Sequence, residues 1–393
     1  MRILFPTIAY KMNSGSIYND LVDCLVEHGH QIVICRSCSD EKSSKIYKVN
    51  SNLTILNIKT GNQFERNLIK KGINMMLLEK QFINGIKKEL ENDKFDLILY
   101  ATPPISLNGV VKFCKKKYNA RTFLMLKDIF PQNAVDLNII KKNSIVYKIF
   151  SKKEENLYQI SDYIGCMSQK NIEYLNKYNQ SIQDKAHIFF NSIKIPKEIT
   201  FKSSNNNTTT FLFGGNLGKP QNMPFLIDII ENLKNYPLAN FIIVGTGTED
   251  YLIKQYSEEN TINFRYLSYL KKVEYDRLLQ SCDVGLICLD PRFTIANIPS
   301  KLPTYYALKK PVLAITDDFT DLRNMVETEK CGWWCSSNNK DEVINVIKKI
   351  CESKEEQIKR GLHARNYALK YFDVEINVKQ IENFMEVINN EAV

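Results

Sequence analysis

Thr210-Phe211-Leu212-Phe213-Gly214-Gly215-Asn216-Leu217-Gly218-Lys219-Pro220-Gln221-Asn222 is the stretch that decides the fold. Thr210 to Phe213 is an apolar run of strand length, and a helical pattern follows from Met223 to about Lys234. Glycines set directly between a buried strand and a helix let backbone N–H groups close on an anion, and the helix N-terminus adds a favourable dipole. Lys219 brings a positive charge to the same turn. A tight turn that needs glycine for its backbone angles alone has the same signature, so the loop by itself leaves both readings open.

The same strand–loop–helix rhythm extends in both directions. Downstream, Asn240–Val244 leads into Gly245-Thr246-Gly247, and Asp283–Cys288 and Pro311–Ile315 are further short apolar runs. Upstream, Ile3–Phe5, Gln31–Cys35, Phe95–Tyr100, Thr122–Leu126 and Tyr163–Met167 are each separated by a helix-length segment. Continuous apolar strands alternating with helices mark parallel sheets covered on both faces. At 393 residues the chain suits two such units. The expected fold class is α/β: two Rossmann-like, doubly wound domains facing across a cleft. The expected boundaries are residues 1–194 and 195–371, with the helix at 372–393 returning to the first domain. The polar run Ser203-Ser204-Asn205-Asn206-Asn207-Thr208-Thr209-Thr210 reads as the exposed approach to the second domain.

Charge separates the halves. Residues 1–194 hold 29 Lys and Arg against 18 Asp and Glu, whereas the remainder is slightly acidic, giving +9 overall. A one-sided basic field points to an anionic membrane face or a phosphate-bearing substrate, and a generally basic solvated surface is the bland alternative. No nucleic-acid module is recognisable. No apolar run approaches the roughly 20 residues of a membrane span, and Met1–Lys11 reads as a first strand rather than a signal peptide. The expected location is the cytoplasm, on the cytoplasmic face of the inner membrane. The segment Ile139–Lys153 mixes apolar and aromatic residues with Lys141, Lys142, Lys148, Lys152 and Lys153. It fits an interfacial helix and an ordinary amphipathic surface helix equally well. Leu68–Phe82 is a second, weaker candidate.

Chemistry-bearing residues fall after strands. Gly245-Thr246-Gly247 lacks the third glycine of a dinucleotide fingerprint, Asp250 standing in its place, which argues against NAD or FAD. Ser300 and Lys301, expected at the first turn of a helix, can converge on a diphosphate, or cap a helix and face solvent. Asp128 follows a strand and could serve as a base or orient an acceptor hydroxyl. Thr102 ends the preceding strand in the same layer, and Asn13, Ser14 and Gly15 follow the first strand. The four histidines, His28, His30, His187 and His363, form no metal site, and no D-x-D occurs. Neither metal nor other cofactor is expected; lysines and backbone dipoles must carry the diphosphate charge. Ten scattered cysteines suit a reduced compartment.

In order along the chain stand GHQIVI (29–34), DLILYATPPIS (96–106), LKDIFPQNAVDL (126–137), GGNLGKPQNM (214–223) and IPSKLPTYYALKKPVLA (298–314). Together they resemble the retaining family 4 glycosyltransferases of the GT-B fold. The resemblance is closest to the O-antigen, capsule and colanic-acid branch with its WbuB-like N-acetylfucosamine transferases. It implies a UDP-sugar donor, an N-acetylated sugar, and transfer with retention to a polyprenyl-diphosphate-linked acceptor at the membrane. It places the donor on Gly215, Asn216, Gly218, Lys219, Gly245, Gly247, Tyr269, Ser300, Lys301 and Thr304. The acceptor falls to Asn13, Ser14, Gly15 and Thr102. One departure stands out: where many members carry two glutamates eight apart, this chain has Ala296 and Thr304. A UDP-sugar 2-epimerase on the same fold and a catalytically silent nucleotide-sugar-binding subunit are the alternatives.

Overall fold

A computed structural model describes residues 1–63, 68–178, 180–199, 207–259 and 262–391. The polar residues 203–206 expected to approach the second domain lie outside these. The chain forms two compact units: Met1–Phe190 with Val374–Val393, and Asn191–Asp373.

The first unit has strands β1 (Arg2–Thr7), β2 (Gln31–Cys38), β3 (Lys45–Lys48), β4 (Leu53–Lys59), β5 (Leu97–Thr102), β6 (Arg121–Leu126), β7 (Tyr163–Cys166) and β8 (Ala186–Ile188). They lie side by side in the order β3-β4-β2-β1-β5-β6-β7-β8, all neighbours parallel except β3 against β4. Helices α1 (Ile17–Glu27), α2 (Leu68–Glu89), α3 (Asn108–Tyr118), α4 (Gln132–Asp136), α5 (Ile145–Ile160) and α6 (Gln169–Tyr178) connect them. The crossovers explain why β1, β5 and β6 are apolar almost without interruption: helices bury both faces of the sheet. One face packs Leu21, Val22 and Leu25 of α1 with Val374, Val378 and Ile381, so the last helix of the chain completes the core of the first unit.

The second unit repeats the plan. Its strands are β9 (Thr209–Gly214), β10 (Ala239–Val244), β11 (Phe264–Leu267), β12 (Val284–Cys288), β13 (Val312–Thr316) and β14 (Gly332–Ser336). All are parallel, in the order β11-β10-β9-β12-β13-β14. Helices α7 (Met223–Asn232), α8 (Asp250–Glu259), α9 (Lys272–Ser281), α10 (Leu302–Ala307), α11 (Lys340–Glu352) and α12 (Lys354–Tyr371) belong to it. Met223, Leu226, Ile229 and Ile230 of α7 and Val343, Ile347 and Ile350 of α11 cover one face. Helix α13 (Val374–Glu391) then returns to the first unit.

Each sheet reverses direction at one point: between β1 and β5 in the first unit, and between β9 and β12 in the second. Loops leaving neighbouring strands there go to opposite faces and open a crevice at the carboxyl edge, where ligands of such sheets bind. No helix among the described residues is long and apolar enough to cross a membrane.

Candidate active site

In the second unit the reversal point is bounded by the loop after β9. Gly215 and Asn216 are exposed there, Leu217 is buried, and Lys219 is exposed on a single 3-10 turn leading to α7. Gln221 organises the loop, its Oε1 accepting from Asn216 Nδ2 at 3.1 Å and from the Gly218 amide at 3.2 Å. Gly245 and Gly247 brace it from behind. Leu217 N–H donates to Thr246 O and Glu249 N–H to Leu217 O. A Cβ on Gly245 would lie 1.8 Å from Gly215 O, and one on Gly247 would lie 2.1 Å from Leu217 O. These two glycines therefore permit a backbone-to-backbone approach that fixes the glycine loop, which gives the GxG a physical role without a dinucleotide. Asp250 accepts from the Gly247 amide at 3.2 Å, taking the donor a pyrophosphate would need.

The PSK segment differs from expectation. Helix α10 starts at Leu302, so Ser300 and Lys301 precede the helix, with Ser300 exposed and Lys301 at the N-cap, where its side chain makes no capping bond. Pro303, inside the first turn, is the proline that fits the helix start. The Lys301 side chain instead runs inward: its Nζ stands 3.2 Å from the centroid of the Phe213 ring, on the strand that launches the glycine loop. That Nζ is buried and has no hydrogen-bond partner among the described residues. Burial pushes the ammonium down to about 7. Tyr305 of the same helix locks α10 to β9, donating to Leu212 O at 2.9 Å and accepting from the Gly214 amide at 3.2 Å.

Two features at this edge were not singled out in the sequence. Asp290, after β12, holds Arg292 through two bonds of 2.8 and 2.7 Å, and its amide donates to Pro220 O of the glycine loop. Asp317, after β13, is buried and accepts from the amides of Phe319 and Thr320, while its Oδ2 has no hydrogen-bond partner among the described residues. Burial pushes that carboxyl up to about 6. Through Thr320, which donates to Asn297 O at 3.2 Å, this turn supports the segment leading to Lys301. Ala296 is buried and Thr304 half-buried, so neither position offers a carboxylate. Tyr269, after β11, is 73% exposed.

In the first unit, Asn13, Ser14 and Gly15 lie exposed after β1, Thr102 ends β5 and Asp128 follows β6, so the sheet brings them to one carboxyl edge. Asn13 and Gly15 both have positive φ, 56° and 69°. Buried Asn19 organises the loop, accepting from Ser14 Oγ at 2.6 Å and Ser16 Oγ at 2.9 Å while donating to Lys11 O. Thr102 is only 2% exposed, and its hydroxyl donates to Asp128 O at 3.3 Å, so it shapes the edge from beneath. Burial pushes the half-buried Asp128 carboxyl up to about 6, opposed by the Asn133 amide, which donates to Oδ1 at 3.3 Å. Neighbouring Lys127 turns away to Phe189, and burial lowers its ammonium to about 7.

The basic segment is split. Lys141 and Lys142 sit in the loop before α5, and Lys148, Lys152 and Lys153 on it. Ile139, Val146 and Ile149 are exposed among them, and Ile145 is 79% exposed. On α2, Ile73 and Leu77 are exposed and Met76 is 81% exposed. Met75, Met76, Glu79, Lys80, Ile83, Ser106 and Lys153 line a cavity of about 420 Å³ between these two helices.

Two doubly wound units, the second with a braced glycine loop and a buried lysine at its reversal point, are the architecture of the GT-B glycosyltransferases. Residues 195–367 match the family model for glycosyl transferases group 1. A probable glycosyltransferase WbjE from Pseudomonas aeruginosa is 24% identical over 298 residues, 72% of this chain and 73% of that one. A trehalose-6-phosphate structure from E. coli bound with UDP-2-fluoro glucose superposes with a TM-score of 0.74 at 13% identity, covering 98% of this chain and 99% of that one. Sucrose-phosphate synthase from Thermosynechococcus elongatus gives 0.77 at 11% identity, covering 99% of each. The chain is a glycosyltransferase.

Proposed function

We propose that the chain transfers an N-acetylated sugar from a UDP-sugar, with retention and without a metal, to a polyprenyl-diphosphate-linked acceptor in surface-polysaccharide assembly. The observation that carries the donor half is the buried ammonium of Lys301 beside the glycine loop, set over the Phe213 ring and without a hydrogen-bond partner among the described residues. A desolvated cation without a partner is costly, and a diphosphate oxygen supplies the missing one. A structural neighbour with a UDP-sugar analogue supports the same donor class. Lys219 and exposed Asn216 would take the remaining phosphate charge, and Ser300, Thr304 and Tyr269 the sugar and base; the Gly215 amide already donates to Val244 O, so Gly215 serves the turn itself. Gly245 and Gly247 act by holding the loop. Asp128 is the acid–base candidate for the acceptor, with Asn13, Ser14 and Gly15 beside it and Thr102 shaping its surroundings.

Incubation with a panel of UDP-sugars and a polyprenyl-diphosphate-linked saccharide tests the reading. Glycosylated lipid is the expected product. Isomerised free nucleotide sugar would replace the reading with an epimerase, and tight UDP binding without turnover would replace it with a silent binding subunit.

The membrane half rests on the apolar residues of α5 and α2 exposed among lysines. Each lysine near an anionic surface contributes about 1 kcal/mol. Changing Lys148, Lys152 and Lys153 together to Glu is therefore expected to lower affinity for phosphatidylglycerol vesicles by at least ~100-fold in a sedimentation assay. Unchanged partitioning would assign the basic face another purpose.

A further inference from the structure

His28 closes α1, and folding places it against helix α13 nearly the whole chain away. Its Nδ1 lies 3.0 Å from Glu382 Oε1 and its Nε2 2.9 Å from Glu375 Oε2. A neutral imidazole donates from one nitrogen only, so it cannot satisfy both carboxylates. The second nitrogen needs a cation, either a proton or a metal ion. One more group distinguishes the two: Cys24 Sγ, buried one turn back on the same face of α1, lies 3.4 Å from Glu375 Oε1. Ligand atoms of Cys24, His28 and Glu375 all fall within 4.8 Å of one another.

We propose that the first unit binds a divalent ion of the zinc class between α1 and α13, through Cys24 Sγ, His28 Nε2 and a Glu375 carboxylate oxygen. The donor set of one thiolate, one imidazole and one carboxylate suits a borderline-soft ion and not calcium or magnesium. Ligand atoms around a tetrahedral zinc stand roughly 3–4 Å apart, so adjustment of side chains suffices. Cys24 and His28, at i and i+4, share one helix face. The surroundings are those of a metal-bound histidine. Glu382 faces Nδ1, the nitrogen opposite the ligating one, and is itself held by His30 Nε2 at 2.8 Å. Such a carboxylate fixes the tautomer and raises the basicity of the ligating nitrogen. On binding, the S–H bond of Cys24 and the Nε2–H bond of His28 are replaced by bonds to the metal, and both protons pass to solvent; water fills the fourth position. The ion would tie the last helix of the chain to the first, acting as a clip across a very long loop.

This site is independent of the donor and acceptor chemistry, and its test reads binding rather than transfer. The full chain, stripped with EDTA, is titrated with Co²⁺ and Zn²⁺. Expected are a near-ultraviolet sulfur-to-cobalt charge-transfer band, displaced by Zn²⁺, and release of two protons. At a hundredfold excess of Zn²⁺ over its Kd the thermal midpoint rises by about 5 °C. Cys24→Ser abolishes the band, and Glu382→Gln weakens zinc by about 10- to 100-fold. Glu375→Gln, at a partly exposed position that leaves the core intact, weakens zinc by at least about 10-fold and guards against a misfolded Cys24 variant; circular dichroism checks both. Absence of the thiolate band in the parent chain overturns the site. So does equal Zn²⁺ affinity in the parent and Glu375→Gln, which would leave His28 as a protonated partner of two carboxylates.

Discussion

Replacing Lys301 with methionine, which keeps the stem on Phe213 and removes the charge, is expected to weaken UDP binding by about 100-fold. A hydrogen bond to a charged group contributes roughly 1.5–3 kcal/mol, and a buried one stands at the upper end because water cannot substitute. Lys219 is exposed, so its alanine variant should lose about 1 kcal/mol or less. The pH dependence separates the charge from the shape. With burial holding Lys301 near 7 in the free protein, much of it is neutral at and above that pH. A bound diphosphate stabilises the ammonium, so its pKa rises and binding takes up a proton. The sign follows: from about pH 7 to 9, where a terminal phosphate with a pKa near 6 is already ionised, UDP affinity should fall as pH rises, by up to about tenfold per unit. In the methionine variant that slope disappears. Isothermal titration calorimetry in buffers of different ionisation enthalpy reads both quantities. Equal UDP affinity in parent and variant would remove Lys301 from the donor site.

That residue also marks how far the sequence could be read. The apolar strands and the glycine loop announced two doubly wound units, because parallel strands buried on both faces leave an uninterrupted apolar signal. Strands β3, β4, β8, β11 and β14 were not read from the sequence: β3 is exposed throughout, Thr54 and Asn57 interrupt the apolar run of β4, β8 has three residues, and β11 and β14 carry polar or half-buried residues. The order of the PSK segment was legible, but not the direction of Lys301. A lysine beside a helix start usually faces solvent, whereas this one runs inward to Phe213, on a helix that Tyr305 fastens to Gly214. Asp290 and Arg292 were missed because they reach the loop from another strand, at a separation carrying no sequence periodicity; Gln221 stands inside the loop, but nothing in the sequence marks its side chain as folding back onto Asn216 and Gly218. The same holds for Cys24, His28 and Glu375. In the sequence His28 is one of four scattered histidines, and its carboxylate partners lie some 350 residues away.

Asp128→Asn provides the other large effect, because it moves activity and stability in opposite directions. If Asp128 works as the acid–base group for the acceptor, its loss lowers kcat by about 10²- to 10⁴-fold while leaving the donor KM nearly unchanged. The parent's kcat/KM should fall as pH drops through about 6, where the buried carboxyl takes up its proton, and the residual activity of the variant should not share that limb. Stability runs the other way. A carboxyl whose folded pKa is raised favours the folded state below its unfolded pKa, near 3.9, and loses that contribution as pH climbs through 6. At pH 7 to 8 the parent therefore holds an ionised, desolvated carboxylate, at a penalty on the order of 2 kcal/mol. Asparagine, of the same shape and uncharged, relieves it, so the variant should unfold at higher denaturant than the parent at pH 8 and at nearly the same concentration at pH 4. An inactive but stabilised variant is the signature of a carboxylate kept for chemistry. A variant that loses less than tenfold in kcat would instead point to a transfer step assisted by the departing phosphate itself, with Asp128 only shaping the turn after β6.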